Sequence, residues 1–209
     1  MNDALQQGAG LENCWLSDDP LALTAIFQPQ INLAVWDRPE PPLQPYLQSL
    51  MALPGGLALK AWGTPETLLQ SIERDLPAGP DRQVLVDDLW LLLDMYACLF
   101  DLDELGIRIN LLRQAMCPRF HVDRVQARLV CSYGGAGTEW LPNSQVARAA
   151  LGVVGRSEQI ACGPAQQLVA GQVALLKGEQ WQDNAGLGIV HRSPALSADS
   201  ARLLVTLDM

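Results

Sequence analysis

The stretch Phe120-His121-Val122-Asp123 decides how the second half of this 209-residue chain is interpreted. In a β-strand, side chains two residues apart point to the same face, so His121 and Asp123 would project together. In a helix, the same spacing would point the two side chains apart. We therefore predict a strand over residues 120–123 that presents an imidazole and a carboxylate on one face.

The chain contains two histidines, and the second, His191, directly follows the apolar run at 188–190, which we also expect to be a strand. Two imidazoles and one carboxylate on one side of a metal ion leave its other positions open, as in non-haem iron(II) oxygenases. A closed zinc site would need a fourth ligand, for which Cys117 is a candidate. Without a metal, Asp123 would serve only to orient His121 through a hydrogen bond.

From residue 106 onward, short apolar runs alternate with glycine and proline turns, which is typical of a sandwich or barrel. The earlier region has longer helical patterns, and the helix at 81–100 is apolar nearly all round, so we expect it to pack against a sheet. Residues 143–151 form either a helix or an ordered loop. The predicted helices cover residues 19–27, 43–53, 64–76 and 81–100. The predicted strands cover residues 31–36, 57–62, 107–112, 120–123, 128–133, 138–141, 160–162, 172–177, 188–192 and 202–207.

Composition and sequence pattern argue against several classes of partner and location. The formal net charge of −9 disfavours binding to nucleic acids or to anionic membranes, because both present phosphate groups. No apolar run approaches the roughly 20 residues of a membrane-spanning helix, and the first ten residues lack the features of a secretion signal. Five cysteines without a CxxC pair argue against a disulfide framework. We therefore expect a cytoplasmic protein.

The order of the candidate ligands resembles that of the iron(II)/2-oxoglutarate-dependent oxygenase superfamily. That superfamily has an HxD pair on an early barrel strand, a distal histidine on a late strand, and a basic residue about ten positions later. Here these are His121 and Asp123, then His191, then Arg202. The resemblance implies iron(II), or zinc in its place, on the first three residues, with 2-oxoglutarate as co-substrate. It also implies that Arg202 pairs with a co-substrate carboxylate, since the guanidinium fork binds both oxygens.

The same resemblance implies the fold class. We expect an α+β fold in which residues 106–209 form a double-stranded β-helix, also called a jelly roll and similar to cupins. Residues 1–105 would form a helix-rich region packed on this barrel, in one structural unit. Tyr133 is a second candidate for binding the co-substrate, through its hydroxyl, or else a core residue. We expect Glu139 either to contact substrate or act as an extra metal ligand, or instead to cap a turn or pair with an arginine.

Along most of its length the chain also resembles a bacterial family described only as a domain of unknown function. The matching segments are residues 32–38, 120–124, 135–141, 176–179 and 190–194. Members of that family are often encoded beside zinc-uptake and metal-chaperone genes, which implies metal-homeostasis partners. Three hypotheses follow: an iron(II)/2-oxoglutarate-dependent dioxygenase acting on an unknown small molecule or protein, a zinc-binding accessory protein without redox chemistry, or a metal-free scaffold.

Overall fold

The computed structural model describes residues 12–197 and 200–209, and in this part of the chain ten strands form two sheets. Three α-helices, α1 (Gln44–Met51), α2 (Pro65–Asp75) and α3 (Arg82–Phe100), lie between the early strands. In chain order the strands are β1 (Cys14–Ser17), β2 (Leu33–Trp36), β3 (Ala58–Gly63), β4 (Leu105–Leu112), β5 (Ala127–Tyr133), β6 (Glu139–Leu141), β7 (Gln166–Gln167), β8 (Val173–Lys177), β9 (Val190–Arg192) and β10 (Arg202–Asp208).

The larger sheet has seven strands in the order β1-β2-β8-β5-β10-β4-β3. Only its first pair, β1 with β2, is parallel, and the other neighbours are antiparallel. Four strands from the second half of the chain lie at its centre, and strands from the first half flank them on both sides. The fold is thus a mixture of α and β elements built on one large sheet and a smaller second one.

Local sequence signals account for the helices. In α2, the Thr64 side chain accepts a hydrogen bond from the backbone N–H of Thr67, and Pro65 occupies the first turn. In α3, the predicted burial is confirmed, because residues such as Leu89 and Leu92 join strand residues in the main core. The hydroxyl of Tyr96 on α3 also donates to the Ala127 carbonyl at 3.0 Å. No helix within residues 12–197 or 200–209 has the length and apolar character needed to cross a bilayer.

Side chains of the central strands of the large sheet lie on two faces, one packed in the main core and one opposite it. In β4, burial alternates strictly, with Ile107 and Ile109 in the core beneath the helices and Arg108 and Asn110 on the opposite face. The same parity holds in β5 and β10, whose odd-numbered residues join that core. The even-numbered residues of these three strands therefore face the second sheet.

The second sheet has the order β7-β6-β9 and packs on the large sheet through a separate apolar cluster that includes Val130, Trp140 and Ile189. The predicted strand at 120–123 is reduced to a single antiparallel bridge between His121 and His191. Its pairing ends there because the Asp123 carbonyl accepts from the N–H of Glu179, in the turn after β8, and not from a neighbouring strand.

Other short elements also differ from the sequence expectation. The strand predicted at 160–162 is one bridge between Ala161 and Val146. The segment 143–151 is an ordered loop containing two short 3-10 turns, Asn143–Gln145 and Arg148–Ala150.

Candidate metal centre

The two histidines are brought together by backbone pairing between distant parts of the chain. His191 lies in β9, and its backbone exchanges two hydrogen bonds of 3.0 Å with the backbone of His121. The two side chains therefore lie on the same face, and their ring centroids are 4.5 Å apart. This proximity follows from the backbone bridge between the two residues, each of which the sequence predicted to lie on a strand.

Asp123 completes a compact group with the two imidazoles. Its Oδ1 is 3.7 Å from Nε2 of His121, and its Oδ2 is 3.4 Å from Nε2 of His191. One candidate ligand atom from each of the three residues lies within 4.8 Å of the others. Bonds from nitrogen or oxygen to such metals are about 2.0–2.2 Å long, so atoms sharing one ion are about 3–4 Å apart. The two carboxylate–imidazole distances fall in this range, so the group is a candidate site for a single divalent ion.

Both imidazoles are oriented for metal binding through Nε2. Nδ1 of His121 faces the Arg119 carbonyl oxygen at 2.9 Å, and Nδ1 of His191 faces the Ile189 carbonyl oxygen at 3.2 Å. A carbonyl oxygen only accepts hydrogen bonds, so each Nδ1 donates its proton to a carbonyl, and each Nε2 is left facing the Asp123 carboxylate. Metal-binding histidines commonly have this arrangement, in which a backbone carbonyl fixes the tautomer.

The electrostatics of the group favour a metal-ready protonation state. Burial alone would raise the pKa of Asp123, but its hydrogen bond to His191 and the charges of His191, Arg128 and His121 lower that pKa to about 2. Burial and the neighbouring His191 lower the pKa of His121 below its usual value. At neutral pH the carboxylate is therefore ionised and the His121 imidazole is neutral, which are the forms that bind metal ions.

A cavity of about 250 Å³ opens beside this group, between the two sheets. Both imidazoles line it, together with side chains from β4, β5, β9 and β10. Its apolar wall includes Val130 and Leu204, and its polar wall includes Thr138 and Ser193. The candidate metal group thus has protein on one side and an accessible space on the other.

Arg202 lies in the wall of the same cavity and is only 2% exposed. Its Nη1 donates to the Ala136 carbonyl at 3.2 Å and contacts the Ser132 hydroxyl at 3.5 Å, and its Nη2 donates to the Ser193 hydroxyl at 3.2 Å. Among the described residues, no carboxylate forms an ion pair with it. Burial lowers the pKa of Arg202 to about 10, which still leaves the guanidinium charged at neutral pH.

The turn between β5 and β6 positions the carbonyl that Arg202 contacts. Gly135 has a φ of +72°, and a Cβ atom there would lie 2.7 Å from the Ala201 carbonyl oxygen. Only glycine has both the required conformation and the required space. The glycine-rich segment thus allows β10 to approach closely and lets Ala136 accept from the buried guanidinium.

Tyr133, the second residue predicted to bind co-substrate, lies elsewhere. Its side chain is fully buried on the helix-facing side of β5, and its hydroxyl donates to Oδ2 of Asp88 at 2.5 Å. Asp88 also forms a bidentate ion pair with Arg38, with N–O distances of 2.5 and 2.7 Å. Of the two roles foreseen for Tyr133, its position matches that of a core residue, because strand parity directs the side chain into the main core.

Two further candidates are also assigned by geometry. The Glu139 carboxylate accepts from Nε of Arg192 at 2.6 Å, so it pairs with an arginine, one of the roles foreseen for it. Cys117 lines the cavity, yet the group of candidate ligands within residues 12–197 and 200–209 does not include it. The candidate for a fourth zinc ligand is thus not part of the cluster.

Two basic residues of the site were not singled out by sequence reasoning. Arg128 donates from Nη1 to Asp123 at 2.7 Å and from Nε to Asp208 at 2.5 Å. Arg108 donates to the other oxygen of Asp208. The sequence signal that could have identified them is the presence of charged residues at even positions in otherwise apolar strands.

The family model described as "Protein of unknown function (DUF1826)" matches residues 17–208, which include the three candidate ligands and Arg202. The chain belongs to this family. A search of curated proteins finds no match for this DUF1826 chain. None of these comparisons bears on zinc homeostasis, and that link stays a prediction.

Several solved oxygenase structures are distantly similar to the DUF1826 chain. The dioxygenase for auxin oxidation from rice has 13% identity and a TM-score of 0.47, over 72% of this chain and 55% of that chain. A Pseudomonas putida prolyl-4-hydroxylase has 15% identity and a TM-score of 0.34, over 72% and 70%. An oxidoreductase of the 2OG-Fe(II) oxygenase family from Burkholderia pseudomallei has 10% identity and a TM-score of 0.39, over 95% of both chains. The DUF1826 chain spans about half the length of the rice protein.

Proposed function

We propose that this protein is a metal-dependent oxygenase with a jelly-roll core that uses iron(II) and 2-oxoglutarate to oxidise a substrate. The observation that carries the proposal is the buried guanidinium of Arg202, which opens on the same cavity as His121 and His191. A buried charge with only neutral partners is costly. A ligand that brings a carboxylate to Arg202 and a chelating group to a metal at the histidines would fit this cavity.

The three candidate ligands would hold the metal through Nε2 of His121, Nε2 of His191 and one Asp123 oxygen. Iron(II) bound there with 2-oxoglutarate would supply the oxidising chemistry with dioxygen. The protein side chains leave the cavity side of the group open. Three protein ligands with an open side suit a reactive site, whereas a closed structural zinc site normally takes four.

The roles of Arg202 and its neighbours follow from their contacts. Its guanidinium would bind the far carboxylate of 2-oxoglutarate through a charge-assisted, bidentate contact. The Ser193 hydroxyl and the Ala136 carbonyl hold the guanidinium in place before the ligand arrives. Val130 and Leu204 provide an apolar wall that excludes water beside this contact. The site would thus orient the co-substrate and strengthen its electrostatic interactions.

Anaerobic titration of the purified protein with iron(II) and then 2-oxoglutarate tests this proposal. We expect a weak visible charge-transfer band that appears only when both are present and saturates at one equivalent of each. The Asp123→Ala variant removes one metal ligand and should abolish the band. The exposed Arg74→Gln variant on α2 is a matched surface control that should retain it. A protein that binds zinc tightly but gives no band and no 2-oxoglutarate binding would support the accessory-protein hypothesis instead.

A further inference from the structure

Positive charge is concentrated in the cavity of an otherwise acidic protein. Four of the twelve arginines line it, and none of its lining residues is acidic. The four are Arg108, Arg128, Arg192 and Arg202. Such a surface attracts anionic ligands and raises their local concentration. The proposed function assigns one anion, 2-oxoglutarate, to Arg202. An anionic substrate would therefore have to bind one of the other three arginines.

The other three arginines differ in how many of their N–H donors are already paired. Arg192 is paired with Glu139, and Arg128 is held by Asp123 and Asp208. Arg108 shares Asp208 with Arg128 and donates to it through Nη1 alone. The remaining N–H groups of Arg108 have no acceptor among the described residues, and its side chain is 40% exposed. Arg108 therefore has both unused donors and access to solvent.

Arg108 also faces a second cation across the sheet. Lys60 on β3 is its direct cross-strand partner, so both side chains lie on the same face of the sheet. Lys60 is exposed and forms no ion pair with any described residue. Like charges directly opposite each other destabilise a pair of strands. Asp208 offsets part of this repulsion, but Arg128 shares that carboxylate, so a bound anion would relieve the rest.

An outer groove joins this pair of cations to the cavity. The groove has a volume of about 220 Å³ and shares Arg108 and Arg128 with the cavity, while Lys60 and Trp62 also line it. The Asp208 carboxylate lines it too, but it is already paired with both arginines, so the three cations outnumber it. Trp62 is 61% exposed and lies over Gly106, so its ring offers an apolar surface beside the two cations. Together the cavity and the groove match the size of sites for small molecules, about 300–1,000 Å³.

We propose that the substrate of this site is a small organic anion whose charged group binds Arg108 and Lys60 while its apolar part lies against Trp62. This inference rests on the proposed function for the chemistry, but the anion site itself is defined by the groove. The guanidinium and ammonium groups bind carboxylates and phosphates alike, so the shared feature is the negative charge.

Calorimetric titration with four matched compounds tests the inference. Phenylacetate and phenyl phosphate are the anionic probes, phenylacetamide is the neutral probe and phenethylamine is the cationic probe. We expect the better anion to bind the zinc- and 2-oxoglutarate-loaded protein at least about tenfold more tightly than the amide, as one charge-assisted hydrogen bond predicts. The stronger of the two anions then distinguishes a carboxylate substrate from a phosphate substrate.

Substitutions of Arg108 and Lys60 test whether these residues cause the preference for anions. Arg108→Gln should lower the affinity for the anion about tenfold. Lys60→Gln should lower it about two- to fivefold, as expected for an exposed charge. Because Lys60 has no ion pair among the described residues, its variant is expected to fold normally even if Arg108→Gln does not. Arg74→Gln removes an equal charge from α2 and should leave the affinity unchanged.

The outcomes separate this inference from the proposed function. Equal affinities for anion and amide, no binding of either anion at millimolar concentration, or a preference that survives both substitutions would overturn the anion site. Repeating the titrations on metal-free protein removes the dependence on the metal, because the groove residues are not metal ligands. Failure to bind metal and 2-oxoglutarate, with the anion preference retained, would overturn the proposed function alone.

Discussion

The guanidinium of Arg128 donates a 2.7 Å hydrogen bond to Oδ2 of Asp123, the carboxylate that also faces both imidazoles. The same guanidinium donates to Asp208 at 2.5 Å, and Asp208 in turn accepts from Arg108. The candidate metal centre is thereby linked to the far end of β10 by a chain of alternating charges. This chain holds the carboxylate in one orientation before any metal binds.

The first prediction concerns this link. Arg128→Gln should raise the pKa of Asp123 above about 2, because the arginine charge is one of the causes that lower it. It should also weaken metal binding about 10- to 100-fold, as is typical when a residue that orients a ligand is lost. Carbon NMR of the carboxyl groups in metal-free protein and competition with a chelator measure the two effects. Arg128→Lys keeps the charge without the fork and should fall between the two proteins.

The second prediction concerns removal of the metal. A metal that binds only the folded state stabilises it by about 2.7 kcal/mol at a hundredfold excess over its Kd. For a chain of this size, that corresponds to a rise in Tm of about 5–10 °C. Differential scanning calorimetry should show this rise with iron(II) or zinc and its reversal by a chelator. His191→Ala should show neither change, and an equal metal-induced rise in that variant would place the metal elsewhere.

The third prediction separates binding from stability at Arg202. Arg202→Met should lower the affinity for 2-oxoglutarate about 10- to 100-fold, because the charge-assisted contact is lost. Without ligand, the same variant should be as stable as the parent protein or more stable, since an unpaired buried charge is removed. Calorimetric binding and denaturant unfolding measure the two quantities. A large loss of stability with unchanged affinity would show that Arg202 has only a structural role.

The fourth prediction concerns Tyr133, whose hydroxyl donates to Asp88 in the main core. Tyr133→Phe should lower the free energy of unfolding by about 1–3 kcal/mol, because the buried carboxylate of Asp88 loses one donor. It should leave the affinity for 2-oxoglutarate unchanged, in contrast to Arg202→Met. A selective loss of co-substrate affinity in this variant would show that Tyr133 does contribute to binding 2-oxoglutarate.

Much of the candidate site was predictable from sequence because its signals are local. The i, i+2 spacing of His121 and Asp123 depends on four consecutive residues. The start of α2 at Thr64, a feature of the fold, is local in the same way. Residues 120–123 form only one bridge, between His121 and His191, but that bridge is enough to bring the two imidazoles together. The extent of that strand was not predictable, because it depends on where the turn after β8 meets the Asp123 carbonyl.

The orientation of β5 was not predictable for a different reason. Nearly every residue of β5 is buried, so the strand has no polar face that would reveal which parity points to the helices. The sequence of β5 alone therefore does not decide whether Tyr133 or Arg128 faces the cavity. Their opposite parity places Tyr133 against Asp88 and Arg128 against Asp123. Only the packing of α3 on the large sheet decides between these two orientations.

The most direct test is a crystal structure of protein loaded anaerobically with iron(II) and 2-oxoglutarate, with anomalous data collected at the iron edge. We predict one anomalous peak about 2.0–2.2 Å from Nε2 of both histidines and from an Asp123 oxygen. The co-substrate should bridge that peak and the Arg202 guanidinium. An absent peak, or an ion enclosed by four protein ligands with no 2-oxoglutarate beside it, would contradict the account.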